Sequence, residues 1–231
     1  MPTETVSSAE LAQARGKLYE FMSAQFAGPP DAEMLVLVAD WASQQMASDS
    51  AGEWLSPEMN DALAAIGGFF QGAGDRSRED LGEEVAIEYT RLFRGIKKEY
   101  SPPPPYESVY REEDGRVFGE VTTVVRNQYR RHGFDVASGL TSEPSDHISL
   151  ELEFMHLLCT REAEALAAKD DEAASDLRLA QREFLEEHLM AWTPSLRQEV
   201  EKFDRGGLFS GLLKFTEGWL DFDYRNHVVE G

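Results

Sequence analysis

One stretch constrains this chain more than any other: Glu143-Pro144-Ser145-Asp146-His147-Ile148-Ser149-Leu150-Glu151-Leu152-Glu153-Phe154-Met155. From Ser145 to Ala167 there is no further Pro and no Gly, so the segment predicts one long helix. Pro144 suits its first turn, where a missing N–H costs nothing, and Ser142 is placed to cap it. Stepping about 100° per residue, Ile148, Leu152, Met155 and Cys159 form one apolar row, and Leu150, Phe154, Leu157 and Leu158 a second. Asp146, Ser149, Glu153, His156, Thr160 and Glu164 form a polar strip, which is expected to face solvent. A helix apolar over more than half its circumference belongs in an interior. His147 and Glu151 lie one turn apart, between the two apolar rows. An imidazole and a carboxylate there must be paired, ligated or lining a cleft, because an unpaired buried charge is too costly.

The remaining segments read as helices to be packed around that one. Ser7-Ser8-Ala9-Glu10 is a capping box, opening a helix with Leu11, Leu18, Phe21 and Met22 on one face. Asp31 caps a second, with Met34, Leu35, Val38, Trp41 and Ala42 inward. Ser56-Pro57 starts a third with Leu63, Ile66, Phe69 and Phe70, stopped by Gly72 and Gly74. Ser77 starts a fourth with Leu81, Val85, Tyr89, Leu92 and Phe93, closed by Gly95. A fifth runs from about Val117 to Arg131 with Phe118, Val121, Val125 and Tyr129 inward, stopped by Gly133. The loop Asp135 to Ser142 leads into the long helix. After Asp170 comes a helix with Leu177, Phe184, Leu185 and Leu189, and Thr193-Pro194 starts another that Gly206-Gly207 ends. Leu208 to Leu220 is the last helix, and Asp221 to Gly231 a loosely held tail. No useful run alternates with period two and no repeat recurs. The expectation is an all-α, single helical-bundle domain of about eight to ten helices over 1–231.

Four consecutive prolines, Pro102 to Pro105, interrupt this pattern with a stiff extended segment. It divides an N-terminal half, 1–98, from a C-terminal half, 112–231, with 99–111 as a proline-rich hinge. It serves as a rigid connector, or as a strap flanked by Tyr100 and Tyr106 that lines a groove. A ligand for a separate proline-recognition domain is a third reading, but the interleaved aromatics favour packing within this protein.

The 43 acidic against 22 basic residues give a net charge of −21, which disfavours nucleic acid and anionic lipid and favours cationic partners. Solubility alone would also account for it. One cysteine, Cys159, excludes an internal disulfide and sits on an apolar row as a buried thiol. The opening residues carry neither a basic region nor an apolar run, so a signal peptide is not expected. No apolar stretch is long enough for stable membrane insertion. A soluble, cytoplasmic protein is expected.

Phosphate loops, dinucleotide fingerprints, zinc motifs and nucleophile elbows are absent from the sequence. His147 and Glu151 have the spacing of two ligands on a helix, but two are too few, so neither a metal nor another cofactor is expected. The residues leave open an acid–base or metal-dependent hydrolase using His147 and Glu151, a structural pair fastening the long helix to the Pro102–Ser108 strap, and a cleft that binds a peptide.

Three blocks in order, Glu88-Tyr89-Thr90-Arg91-Leu92-Phe93-Arg94-Gly95, then Pro104-Pro105-Tyr106-Glu107-Ser108-Val109-Tyr110, then Glu143-Pro144-Ser145-Asp146-His147-Ile148 with Glu151, Phe154 and Met155, resemble the TorD/DmsD group of redox-enzyme maturation chaperones. The likeness covers about residues 85 to 160, and its most specific block is Glu-Pro-x-Asp-His with the following Glu. It implies a cytoplasmic, all-helical chaperone, not an enzyme. Its partner would be the catalytic subunit of a molybdenum-cofactor oxidoreductase, bound directly or at its twin-arginine leader, while the cofactor is inserted and before export. It implies Asp146 and His147 as the binding pair and Tyr106, Glu107 and Ser108 as the neighbouring loop, and Glu143 and Glu151 complete the candidate peptide site. Some relatives are linked to guanine nucleotides, but no phosphate motif here supports that. Exchange of halves through a hinge such as Pro102–Pro105 would turn a monomer into a domain-swapped dimer.

Overall fold

The helices start where short polar side chains can take the first unpaired N–H groups. The fold is described from a computed structural model, over residues 6–47, 54–95, 99–134 and 143–229. Helices α1 (Ser8–Ala27), α2 (Ala32–Ala47), α3 (Pro57–Ala73) and α4 (Arg78–Phe93) form the first part. Ser7 and Glu10 close a full capping box, and Asp31, Ser56 and Ser77 accept from the N–H groups of Met34, Met59 and Asp80. Then come the short α5 (Glu107–Arg111), α6 (Glu120–Arg131) and the long α7 (Ile148–Ala168). Asp170 caps α8 (Asp171–Phe184), which passes through a π-helical turn, Leu185–Leu189, into α9 (Met190–Glu201). Gly207, at φ +76°, allows the sharp entry into α10 (Leu208–Asp223), followed by a π-helical segment, Tyr224–Val229. Among the described residues there is no strand, only an isolated bridge between Tyr106 and His147. The fold is all-α. No helix among them is long and apolar enough to cross a membrane.

Helix α7 is the axis. Ile148, Leu152, Met155, Leu158 and Cys159 are fully buried, each aliphatic contributing about 1.5–3 kcal/mol of burial. It packs against α1 along its length and against α8, while α10 packs on α3. One hydrophobic core runs from Tyr19 to Val228.

Several details depart from the sequence expectation. Helix α7 begins at Ile148 with His147 as its N-cap, so Pro144 lies in the preceding turn, where its carbonyl accepts from His147 N–H at 3.1 Å. The expected cap Ser142 and the Asp135–Ser142 loop lie outside the described residues. Most of the polar strip of α7 does not face solvent, and of its members Glu164 alone is exposed. Asp146 and Ser149 are buried, and α1 lies over the strip. Gly16 permits this approach, since a Cβ there would meet Cys159 Cβ and the His156 carbonyl at 3.3 Å. Ser23 donates to Ser149 O at 2.8 Å, and His156 Nδ1 donates to Gly16 O at 2.9 Å. The buried face of α1 is accordingly Ala12, Arg15, Gly16, Tyr19 and Met22, and Leu11 is exposed.

Phe118 is also outward, 73% exposed at φ +67°, and α6 starts after it at Glu120. The reason is Glu112, whose carboxylate accepts from Val121 N–H at 2.9 Å and leaves no space for a Cβ on Gly119. Thr193-Pro194 starts no helix. Pro194 lies inside α9, in the first turns after the wide π turn. The end of the chain is not a loose tail as far as Val229. Asp223 is fully buried and accepts from Arg15 Nε at 2.5 Å and from Tyr19 Oη at 2.7 Å. Arg15 also donates to Glu162 at 2.9 Å and to Gln181 at 2.5 Å, so one guanidinium joins α1, α7, α8 and α10.

Candidate functional site

The proline strap crosses the N-terminus of α7 and is tied to it by backbone hydrogen bonds. Four prolines leave the strap few donors of its own. Pro105 O accepts from Ile148 N–H at 3.1 Å, and Glu107 N–H donates to Asp146 O at 2.9 Å. Tyr106, at the N-cap of α5, offers no side-chain cap. The Asp146 carboxylate supplies it from across the junction, accepting from Ser108 N–H at 2.9 Å. The strap is thus fastened by Asp146 and the backbone on either side of it, not by a His147–Glu151 pair. Gly95 turns at φ +57° under the strap, with the site of its missing Cβ 3.2 Å from Pro104 Cδ.

An inner and an outer group of side chains surround this junction. Inside, Glu107, Asp146 and Glu151 are all 0% exposed. Glu107 binds Arg111 with one oxygen and His188 Nδ1, at 2.8 Å, with the other. Glu151 Oε2 accepts from Trp192 Nε1–H at 2.9 Å. Burial first, then the neighbouring Glu107 carboxylate, holds the Glu151 pKa well above its ordinary value. A raised pKa favours the protonated, uncharged form of Glu151. Among the described residues, Asp146 Oδ1, Glu151 Oε1 and Ser108 Oγ are buried without a hydrogen-bond partner. Outside, Glu143 accepts from Arg94 and from Tyr106 Oη, both at 2.6 Å. Burial opposes the Glu143 charge, yet the Tyr106 and Arg94 hydrogen bonds carry its pKa below the usual carboxylate range. Tyr106 is pushed up by burial and by Glu143, so it keeps its proton.

His147 belongs to neither charge group. It is 2% exposed, its Nδ1 accepts from Ser149 N–H at 3.2 Å, and its ring meets Tyr106 edge-on at 5.2 Å. Burial lowers its pKa to about 4, so it is neutral at pH 7. His147 and Glu151 thus have different partners, which removes the geometry an acid–base pair needs. Among the described residues, cavities of about 650, 370 and 220 Å³ are lined by side chains other than Asp146, His147 and Glu151. Among the described residues no group of three or more His, Cys, Asp or Glu could hold a metal ion.

All seven expected site residues meet at one junction, five of them buried and Tyr106 and Glu143 partly exposed. Arg94, Arg111, His188 and Trp192 complete it and are not among the expected site residues. Arg94 lies within the first of the three motif blocks, but no spacing links His188 or Trp192 to a strap so distant in the chain.

A family model described as "Nitrate reductase delta subunit" matches residues 53–198. The chaperone protein TorD of Vibrio vulnificus strain YJ016 is 30% identical over 169 residues, 71% of this chain and 76% of the relative. This chain belongs to the TorD family of redox-enzyme maturation chaperones. TorD of Photobacterium profundum is 25% identical over 213 residues, 91% of this chain and 93% of that one. A crystal structure described as a redox enzyme maturation protein from Archaeoglobus fulgidus aligns over 94% of this chain and 98% of its own, at 20% identity and a TM-score of 0.47. TorD relatives are named as chaperones rather than catalysts, which sets aside the hydrolase reading of His147 and Glu151.

Proposed function

We propose that this TorD-family chaperone binds the twin-arginine leader of a molybdenum-cofactor oxidoreductase catalytic subunit in the cytoplasm. It holds the client until the cofactor is in place and then releases it for export. The leader docks on the outer edge of the strap junction, against Tyr106 and Glu143. Glu107, Ser108, Asp146, His147 and Glu151 act from behind, as positioning residues that fix the strap. The observation that carries this reading is the fastening itself. Asp146 spends a fully buried carboxylate on one loop N–H, a costly way to hold five helical residues unless their outer face has a task. The net charge of −21 adds attraction for a basic leader.

The test is titration of the purified chain with a labelled twin-arginine leader peptide. A micromolar dissociation constant, about −8 kcal/mol, suits a client that must leave. Binding weakens with added salt and falls by roughly tenfold in Asp146→Ala, about 1.4 kcal/mol. If Asp146→Ala and Glu143→Gln keep the parent's helical circular dichroism and its affinity, the junction is not the docking site.

A further inference from the structure

The cavity of about 650 Å³ lies at the other end of α5 from Tyr106 and shares Arg111 and His188 with the strap junction. Its size is that of a ligand cleft. Six carboxylates line it, Glu112, Glu113, Asp114, Glu120, Glu186 and Glu187, against one guanidinium, that of Arg111. Arg111 is already committed to Glu107 and to the Glu187 carbonyl. His188 at the floor spends both ring nitrogens inward, on Glu107 and on Gln128 at 3.1 Å. Two of the six carboxylates, Asp114 and Glu186, are engaged by Arg116 and Arg182. Glu113 and Glu120 are exposed and enter no ion pair among the described residues.

The cleft is not only acidic. Val121 and Val124 form part of its wall, and Val124 is 43% exposed. Phe118, two residues before Glu120 in the chain and not itself part of the cavity lining, leaves an aromatic ring 73% exposed. Exposed apolar side chains next to unpaired negative charge fit a segment that carries guanidinium groups and apolar residues together. We infer that this cleft receives the arginine pair of a client leader, with Phe118 and Val124 meeting the apolar residues that follow. The inference rests on the leader-binding reading above and adds a second contact region to the strap edge.

The probe is a fluorescein-labelled peptide with two adjacent arginines followed by a leucine- and alanine-rich stretch, and a counterpart with glutamines in place of the arginines. Binding of both to the full chain is followed by fluorescence anisotropy. The double variant E113Q/E120Q is expected to bind the arginine peptide about tenfold more weakly, from two exposed charge pairs, and the glutamine peptide as the parent does. Phe118→Ser is expected to weaken both peptides a few-fold. If E113Q/E120Q binds the arginine peptide with the parent's affinity, the cleft assignment is overturned and leader binding at the strap still stands. If the parent binds neither peptide, both fall together.

Discussion

Replacing His147 by Asn tests the interior chemistry of the junction with one substitution. The folded pKa of His147 is about 4, against an ordinary value of 6.5, because its ring is sealed from water. Below pH 6.5 the unfolded chain takes up a proton that the folded chain refuses until pH 4. The unfolded state then binds more protons, so stability falls as pH falls. The loss from this group is negligible at pH 7, about 1.4 kcal/mol at pH 5.5 and about 3 kcal/mol at pH 4. Asn is among the best N-cap residues, and its side-chain oxygen can take the place of Nδ1 as acceptor for Ser149 N–H. His147→Asn should therefore lie within about 1 kcal/mol of the parent at pH 7. Between pH 6.5 and 4 it should lose about 3 kcal/mol less than the parent does. Urea unfolding at half-unit pH steps, followed by circular dichroism, measures both slopes. Parallel acid limbs in the two proteins would refute the argument.

Other outcomes follow from the same geometry. Glu151→Gln keeps an acceptor for Trp192 and removes an acid whose raised pKa makes folding costlier as pH rises above about 4.5. It should stabilise the chain at pH 8 and flatten the alkaline limb of its unfolding profile. Asp223→Ala leaves buried Arg15 with Glu162 as its remaining carboxylate partner and should cost about 1.5–3 kcal/mol, read as a fall in urea midpoint. Gly211→Ala puts a Cβ 2.9 Å from Ile66 Cγ1 and 3.3 Å from Ala62 O, between α10 and α3. It should cost about 1–3 kcal/mol on thermal unfolding.

The helices were legible wherever their ends carry local chemistry. Ser7 with Glu10, Asp31, Ser56, Ser77 and Asp170 each act within three residues of their own position, and each could be read from the sequence. The apolar rows of α7 were legible because burial there is regular. What failed was anything set by a second, distant segment. The polar strip of α7 looked solvent-facing because α1 covers it with Gly16, Ser23 and backbone carbonyls, which have no apolar signature. The C-terminal segment looked loose because its anchor, Arg15, is charged, and charge alone marks a residue as exposed. At the site, the burial of His147 and Glu151 was legible but their partnership was not. His147 is an N-cap with extended backbone, φ −75° and ψ 137°, so a helical step of four residues does not carry its ring to Glu151. The Asp146 carboxylate caps the facing α5, a partner that no local spacing marks.

The bond between Arg15 and Asp223 spans 208 positions of chain. During synthesis α1 emerges with its guanidinium unmatched, and its partners on α7, α8 and α10 follow only much later along the chain. Contacts of such separation form late and slow the approach to the native state. A chaperone built this way cannot close the Arg15 knot on the ribosome until α10 is free to pack over α1.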